Sequence, residues 1–224
     1  MRQKFYVITR PETIRGIYET WAECEAKVRG VRGAVFQKVD SREKAEAMLG
    51  GGIALPGGTF VFTDGNAAGG VGVVVVHVDG DGDVFPSEIA TSVDRVFRGS
   101  GIAGLHTTEE VDEALGRLHN ILAELAGLLH GLRLMPRGRA ATIVHDYEGI
   151  SAWMQERWKI NHPTVQVVIE ACRREIEERE LEVSYRHQRG HQSSWAGRDD
   201  FARWNGRADK LATEGFPRPP GSKG

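Results

Sequence analysis

The chain has 224 residues, roughly one and a half times a common domain, and 40% of them are hydrophobic against 27% charged, so it holds one large core or two modest ones and is not disordered throughout. Its longest apolar run, Val71 to Val78, is eight residues where a bilayer span needs roughly 20, and the opening MRQKFYVITRPE lacks the apolar stretch of a secretory signal, so no membrane role is expected. The net charge of −2 hides an asymmetry: residues 1–49 carry ten Lys/Arg against seven Asp/Glu, or +3, and the remainder is −5, the balance expected of a polyanion-binding module joined to an acidic, metal-using one.

In chain order, KFYVIT from Lys4 alternates as a strand, and GIYET after the Arg10-Pro11 turn reads as a second. Thr20 and Glu23 have the spacing of a capping box opening a short helix through Val28. GAVFQKV from Gly33 is a third strand, and Ser41 caps a closing helix, giving β-β-α-β-α over residues 1–49. That domain is too small for a large cavity and suited to a flat binding face. The stretch GGGIALPGG, residues 50–58, has five glycines and a proline and is expected to be a flexible linker spanning about 15–18 Å.

Residues 59–215 form the larger module, and the Pro/Gly-rich residues 216–224 a tail expected to be disordered. Three strands come first, TFVFTDGN from Thr59, GVVVVHV from Gly72 and Asp83 to Ile89, the last two joined by a DGDGD turn. Asp79, Asp81 and Asp83 in that turn lack the glycine and glutamate that complete a calcium loop, so a hairpin accounts for them. Residues 90–106 have no clear periodicity. From Thr108 the apolar residues Val111, Leu115, Leu118, Leu122, Leu125, Leu129 and Leu132 step by four and three, which predicts one long amphipathic helix packed on a sheet. A strand over Ala140 to His145, helices over Gly149–Glu156 and Pro163–Glu180, a strand over Leu181–His187 and a final helix over Ala202–Thr213 complete a mixed sheet flanked by helices. Trp153, Trp158 and Lys159 read as core and rim, or as an aromatic and basic contact beside a substrate channel. Cys24 and Cys172 are too few for a disulfide framework and lack a CxxC partner, which points to a reducing compartment, expected to be the cytoplasm.

Four acids stand where folding alone does not require them. Asp64 ends an apolar strand and precedes a glycine, Asp146 ends the strand ATIVH, Glu124 flanks the apolar seam of the long helix with Asn120 one turn earlier, and Asp209 lies in the last helix. Two strand-end acids and two helix acids packed on that edge suit divalent-metal catalysis: hard cations such as Mg²⁺ take carboxylate oxygens, and a pair of them activates water and stabilises the leaving oxygen of a phosphodiester.

The motifs TDG at Asp64, N-x-x-x-E-L from Asn120, VHDYEGI around Asp146 and GH with WNGRADKLA around Asp209 together resemble the ribonuclease H type 1 family. The N-terminal FYV, GIY, Trp21, Cys24 and GAVFQK are similar to the hybrid-binding, viroplasmin or caulimovirus-type domain that precedes many such enzymes. The resemblance implies an α/β fold, with a five-stranded mixed sheet flanked by helices after the small β-β-α-β-α domain. It implies an endoribonuclease that cuts the RNA strand of RNA–DNA hybrids and leaves 5′-phosphates, using two Mg²⁺ ions for which Mn²⁺ substitutes. Asp64, Glu124, Asp146 and Asp209 would be the metal-binding acids. Asn120 and the backbone at Gly65 would read the 2′-hydroxyls of the minor groove, and His191 would aid proton transfer or product release. In the small domain Tyr6, Trp21 and Phe36 would form the nucleic-acid face, with Lys38 on phosphate.

Some positions depart from the family pattern. Ile121 replaces a second asparagine, Gln37-Lys38 replaces a lysine pair, the sixty residues from Asp64 to Glu124 contain an insertion over 90–107, and the loop 192–204 is long enough that His187 competes with His191. The alternative reading is a non-catalytic protein of this fold that binds RNA–DNA hybrid or double-stranded RNA.

Overall fold

The computed structural model describes residues 4–49, 54–188 and 199–214. These fall into two compact units: a smaller one of residues up to 55 together with 199–203, and a larger one of residues 56–188 and 204–214.

In the smaller unit β1 (Phe5–Arg10) pairs antiparallel with both β2 (Gly16–Tyr18) and β3 (Val35–Val39), and a 3-10 turn (Glu12–Ile14) joins β1 to β2. Between β2 and β3 runs α1 (Trp21–Val28), and α2 (Arg42–Met48) follows β3. The capping box at α1 forms, with Thr20 Oγ1 accepting the Glu23 N–H and the Glu23 carboxylate accepting the Thr20 N–H. Phe5, Val7, Val39, Ala45 and Met48 make the core. Because side chains alternate across a strand, Tyr6 and Lys38 turn to the opposite face, directly across β1 and β3 from each other.

The larger unit is built on a five-stranded mixed sheet in the order β6-β5-β4-β7-β8. β4 (Gly58–Gly65), β5 (Gly70–Val78) and β6 (Val84–Ser92) form an antiparallel meander, and β7 (Ala140–His145) and β8 (Glu182–His187) extend it in parallel. The strand β4 starts on the last residue assigned to the linker. At the β5–β6 hairpin, Asp79 Oδ1 accepts the N–H groups of Asp81 and Asp83, so the acids of DGDGD shape a turn.

The near-continuous apolar run of β5 reflects burial on both faces. On one face lies α5 (Asn120–Leu134), backed by α7 (Pro163–Glu178), and on the other lies α8 (Asp200–Glu214) from Trp204 onward. Small residues allow both approaches. A Cβ on Gly131 would meet Val61 Cγ1 at 2.7 Å, and one on Gly72 would meet the Ala208 carbonyl at 1.9 Å.

Two expectations need correction. The single long helix is two, α4 (Thr108–Leu118) and α5, separated by His119 at φ 51. The His119 N–H closes α4 on the Leu115 carbonyl, and α5 restarts without a side-chain cap. Both helices face the same core, so the four-three rhythm continues across a break that periodicity cannot register. The unassigned stretch 90–106 continues β6 to Ser92 and then forms α3 (Val93–Phe97), which Ser92 caps. Val93, Val96, Phe97, Ile102 and Leu105 are buried, so the insertion adds to the core. The remaining short helix, α6 (Gly149–Met154), links β7 to α7.

Candidate functional site

Asp64 sits at the end of β4, where the strand passes under the first turns of α5. A Cβ on Gly65 would lie 2.3 Å from the Ala123 carbonyl carbon and 2.5 Å from the Glu124 nitrogen, so only glycine lets helix and strand approach this closely. Ala123, Gly127 and Gly131, spaced by four, run along the α5 face that meets β4. That stripe, which the sequence reading passed over, carries Glu124 to Asp64. Asp146, the first residue beyond β7, comes from the neighbouring parallel strand.

One oxygen from each of Asp64, Glu124 and Asp146 can be chosen so that all lie within 4.8 Å of one another. Asp64 and Glu124 are buried, and Asp146 is partly so. Asp64 Oδ1 accepts the Gly65 N–H at 2.8 Å. Glu124 Oε2 is buried with no hydrogen-bond partner. Burial first, and the charge of Asp146 next, push the Asp64 carboxyl up to about 7, with a smaller contribution from Asp209. Burial and the charges of Asp64 and Asp146 hold Glu124 well above the usual carboxylate range. A buried carboxyl with one oxygen left without a donor, crowded by two other acids, fits a bound divalent cation, whose charge supplies what protons otherwise must.

Asp209 is exposed on α8 and lies outside the group of three, within electrostatic reach of Asp64. It is positioned by the contact of α8 with β5 at Gly70 and Gly72, reinforced by Asn66 Nδ2 donating to the Ala212 carbonyl at 2.8 Å. Asn120 is exposed at the start of α5, one turn before Glu124. His191 lies outside the described residues. His187 ends β8 with its Nε2 2.8 Å from the Asp146 carbonyl, and His145, buried behind it, places Nδ1 2.9 Å from the Tyr147 carbonyl.

In the smaller unit Tyr6, Trp21 and Phe36 form a continuous aromatic cluster, with ring centroids 5.5 and 5.4 Å apart. Trp21 is 40% exposed and Phe36 44%, so these rings belong to the surface and not to the core. Lys38 Nζ stands 5.9 Å from the Tyr6 ring centre. Separately, Trp153 packs against Tyr147 and Trp158, and Trp158 remains exposed at the rim.

The family model described as the ribonuclease H1 N-terminal domain matches residues 4–49. The chain therefore carries such a domain, as its resemblance to type 1 ribonucleases H implies. It is 41% identical over 49 residues to a ribonuclease H of Saccharomyces cerevisiae, a match covering 22% of this chain and 14% of the yeast protein. Among solved structures it is similar to ribonuclease H1 of Halobacterium salinarum NRC-1, with 16% identity, a TM-score of 0.44, and coverage of 72% of this chain and 97% of that one. It is also similar to the N-terminal RNase H domain of rv2228c from Mycobacterium tuberculosis, with 18% identity, a TM-score of 0.43, and coverage of 70% and 98%.

Proposed function

We propose that this protein is an endoribonuclease that hydrolyses the RNA strand of RNA–DNA hybrids with the help of two divalent cations, Mg²⁺ or Mn²⁺, and leaves 5′-phosphate ends. The observation that carries the reading is the convergence of Asp64, Glu124 and Asp146 within 4.8 Å, with a buried Glu124 oxygen that has no protein partner. The ribonuclease H1 N-terminal domain supports the choice of substrate.

Asp64, Glu124, Asp146 and Asp209 would hold the cations, which when bound activate water and stabilise the leaving 3′-oxygen. Asn120, one helical turn before Glu124, and the Gly65 backbone, next to Asp64, would meet the minor groove, where the 2′-hydroxyl distinguishes RNA. His191 would assist proton transfer or product release. Tyr6, Trp21 and Phe36 offer π faces and Lys38 a charge to the nucleic-acid backbone, holding hybrid near the acids without taking part in the chemistry.

The test is incubation with labelled RNA–DNA, RNA–RNA and DNA–DNA duplexes in Mg²⁺, Mn²⁺ or EDTA. Cleavage confined to the RNA strand of the hybrid and abolished by EDTA is the expected result. Binding of hybrid without cleavage in either metal would establish the binding-protein alternative, and cutting of DNA–DNA would remove the 2′-hydroxyl requirement.

A further inference from the structure

The strand β7 leaves the sheet immediately before Asp146, so the ladder that fixes the strand ends one residue too early to fix the acid. The last in-register pair of the parallel ladder is His145 with His187, and the Gln188 N–H adds one more bond to the His145 carbonyl at 2.8 Å. Beyond that point imidazoles take over. His187 Nε2 lies 2.8 Å from the Asp146 carbonyl and His145 Nδ1 lies 2.9 Å from the Tyr147 carbonyl. A carbonyl only accepts, so in both bonds the ring nitrogen is the donor. The Tyr147 carbonyl also accepts the Ile150 N–H at the start of α6. The two rings stand 5.9 Å apart, one fully buried and one at the surface.

The residue held this way is the one that most needs holding. Asp146 reaches its neighbours from outside regular structure, and one of its carboxyl oxygens lies within 4.8 Å of oxygens of Asp64 and Glu124, where ionised acids repel one another. Without a tether the cheapest response of a partly exposed acid to that repulsion is to swing away. We propose that His187 is a positioning residue: its Nε2–H, bonded to the Asp146 carbonyl, keeps the Asp146 carboxylate in the acid cluster, and the buried His145 supports the following peptide. The proposal rests on the metal-site reading above, and it assigns His187 a task separate from proton transfer.

Outer-shell partners of metal ligands are typically worth about 10- to 100-fold in metal affinity. The experiment compares the full-length parent, His187→Phe, which keeps a flat ring without a donor, and His187→Gln, whose amide nitrogen donates from nearly the same reach as Nε2. Mn²⁺ affinity is measured without substrate, and amide hydrogen exchange of Gln188 and Ile150 is followed in EDTA. In His187→Phe, Mn²⁺ should bind at least about 10-fold more weakly, the Gln188 and Ile150 amides should exchange faster while those of β5 do not, and kcat should fall with little change in KM for hybrid. His187→Gln should restore all three. Unchanged Mn²⁺ affinity and exchange in His187→Phe overturn the proposal, as does equal damage in both variants, which would make the ring and not its donor the essential part. If the parent binds no Mn²⁺, the metal-site reading fails, and faster exchange in His187→Phe alone still shows that the tether exists.

Discussion

Replacing Asp146 by Asn separates a metal ligand from a structural residue, because the two roles predict opposite changes in stability. The amide keeps the side chain's size and one oxygen but removes a charge from a crowded acidic site. In the metal-free protein, holding the Asp64 carboxyl at about 7 instead of the ordinary 3.8 destabilises the folded state by about 4 kcal/mol once the solution is alkaline enough to ionise it. Burial is the larger cause and Asp146 the next, so the substitution relieves part of that cost, and each ~1 kcal/mol relieved raises Tm by about 2–4 °C in a chain of this size. The gain should appear in EDTA at pH 8 and shrink toward pH 4, where Asp64 is protonated in the parent as well. With Mg²⁺ the order reverses, because the parent gains binding energy that the variant has lost, and hybrid cleavage falls by orders of magnitude. Hybrid binding should persist, since in the proposed reading it rests on Asn120, Gly65 and the N-terminal domain. Paired thermal unfolding in EDTA and cleavage in Mg²⁺ or Mn²⁺ decide the matter. Retained cleavage would remove Asp146 from the metal site, and a melting temperature well below the parent's in EDTA would make it a structural residue.

Asp64→Asn gives the corresponding pH signature. The parent's raised carboxyl contributes stability that is present below about pH 4 and lost as pH rises through about 7, so in EDTA the variant's melting advantage should grow across that window, and a flat difference would refute the burial argument. Gly65→Ala forces a Cβ to within 2.3–2.6 Å of Ala123 and Glu124. Since backbone must move, the cost should reach about 3 kcal/mol, the upper end of overpacking, with activity lost alongside. Gly206→Ala, which meets nothing within 4 Å on an exposed helix position, should be neutral or stabilising by about 0.5–1 kcal/mol, and a comparable loss there would show that the effect at Gly65 is not packing. The double substitution Trp21→Ala and Phe36→Ala should raise KM on long hybrids about tenfold or more through lost stacking while sparing kcat on short ones. Equal loss of kcat on both lengths would place those rings in the chemistry.

Most of the order of elements and the choice of candidate acids were legible in the sequence because both are written in local patterns. Alternation marks β1 and β3, capping residues mark α1, and a polar residue ending an apolar strand marks Asp64 and Asp146. The distance between acids is not written that way. It depends on how closely α5 can lie on β4, and the controlling feature is the absence of side chains at Gly65, Gly127 and Gly131. Isolated glycines in a helix read as weak helix formers until the strand beneath them is known. The break at His119 escaped for a related reason, since a one-residue interruption leaves the four-three rhythm intact when both helices face the same core. The tether on Asp146 is hidden more deeply. His187 is 41 positions away from it, and the two meet only because β7 and β8 pair in parallel with His145 opposite His187. A parallel ladder fixes a strand up to its last pair and no further, so a residue placed just past the end is held by bonds of another kind, here including one from a histidine at the matching end of β8.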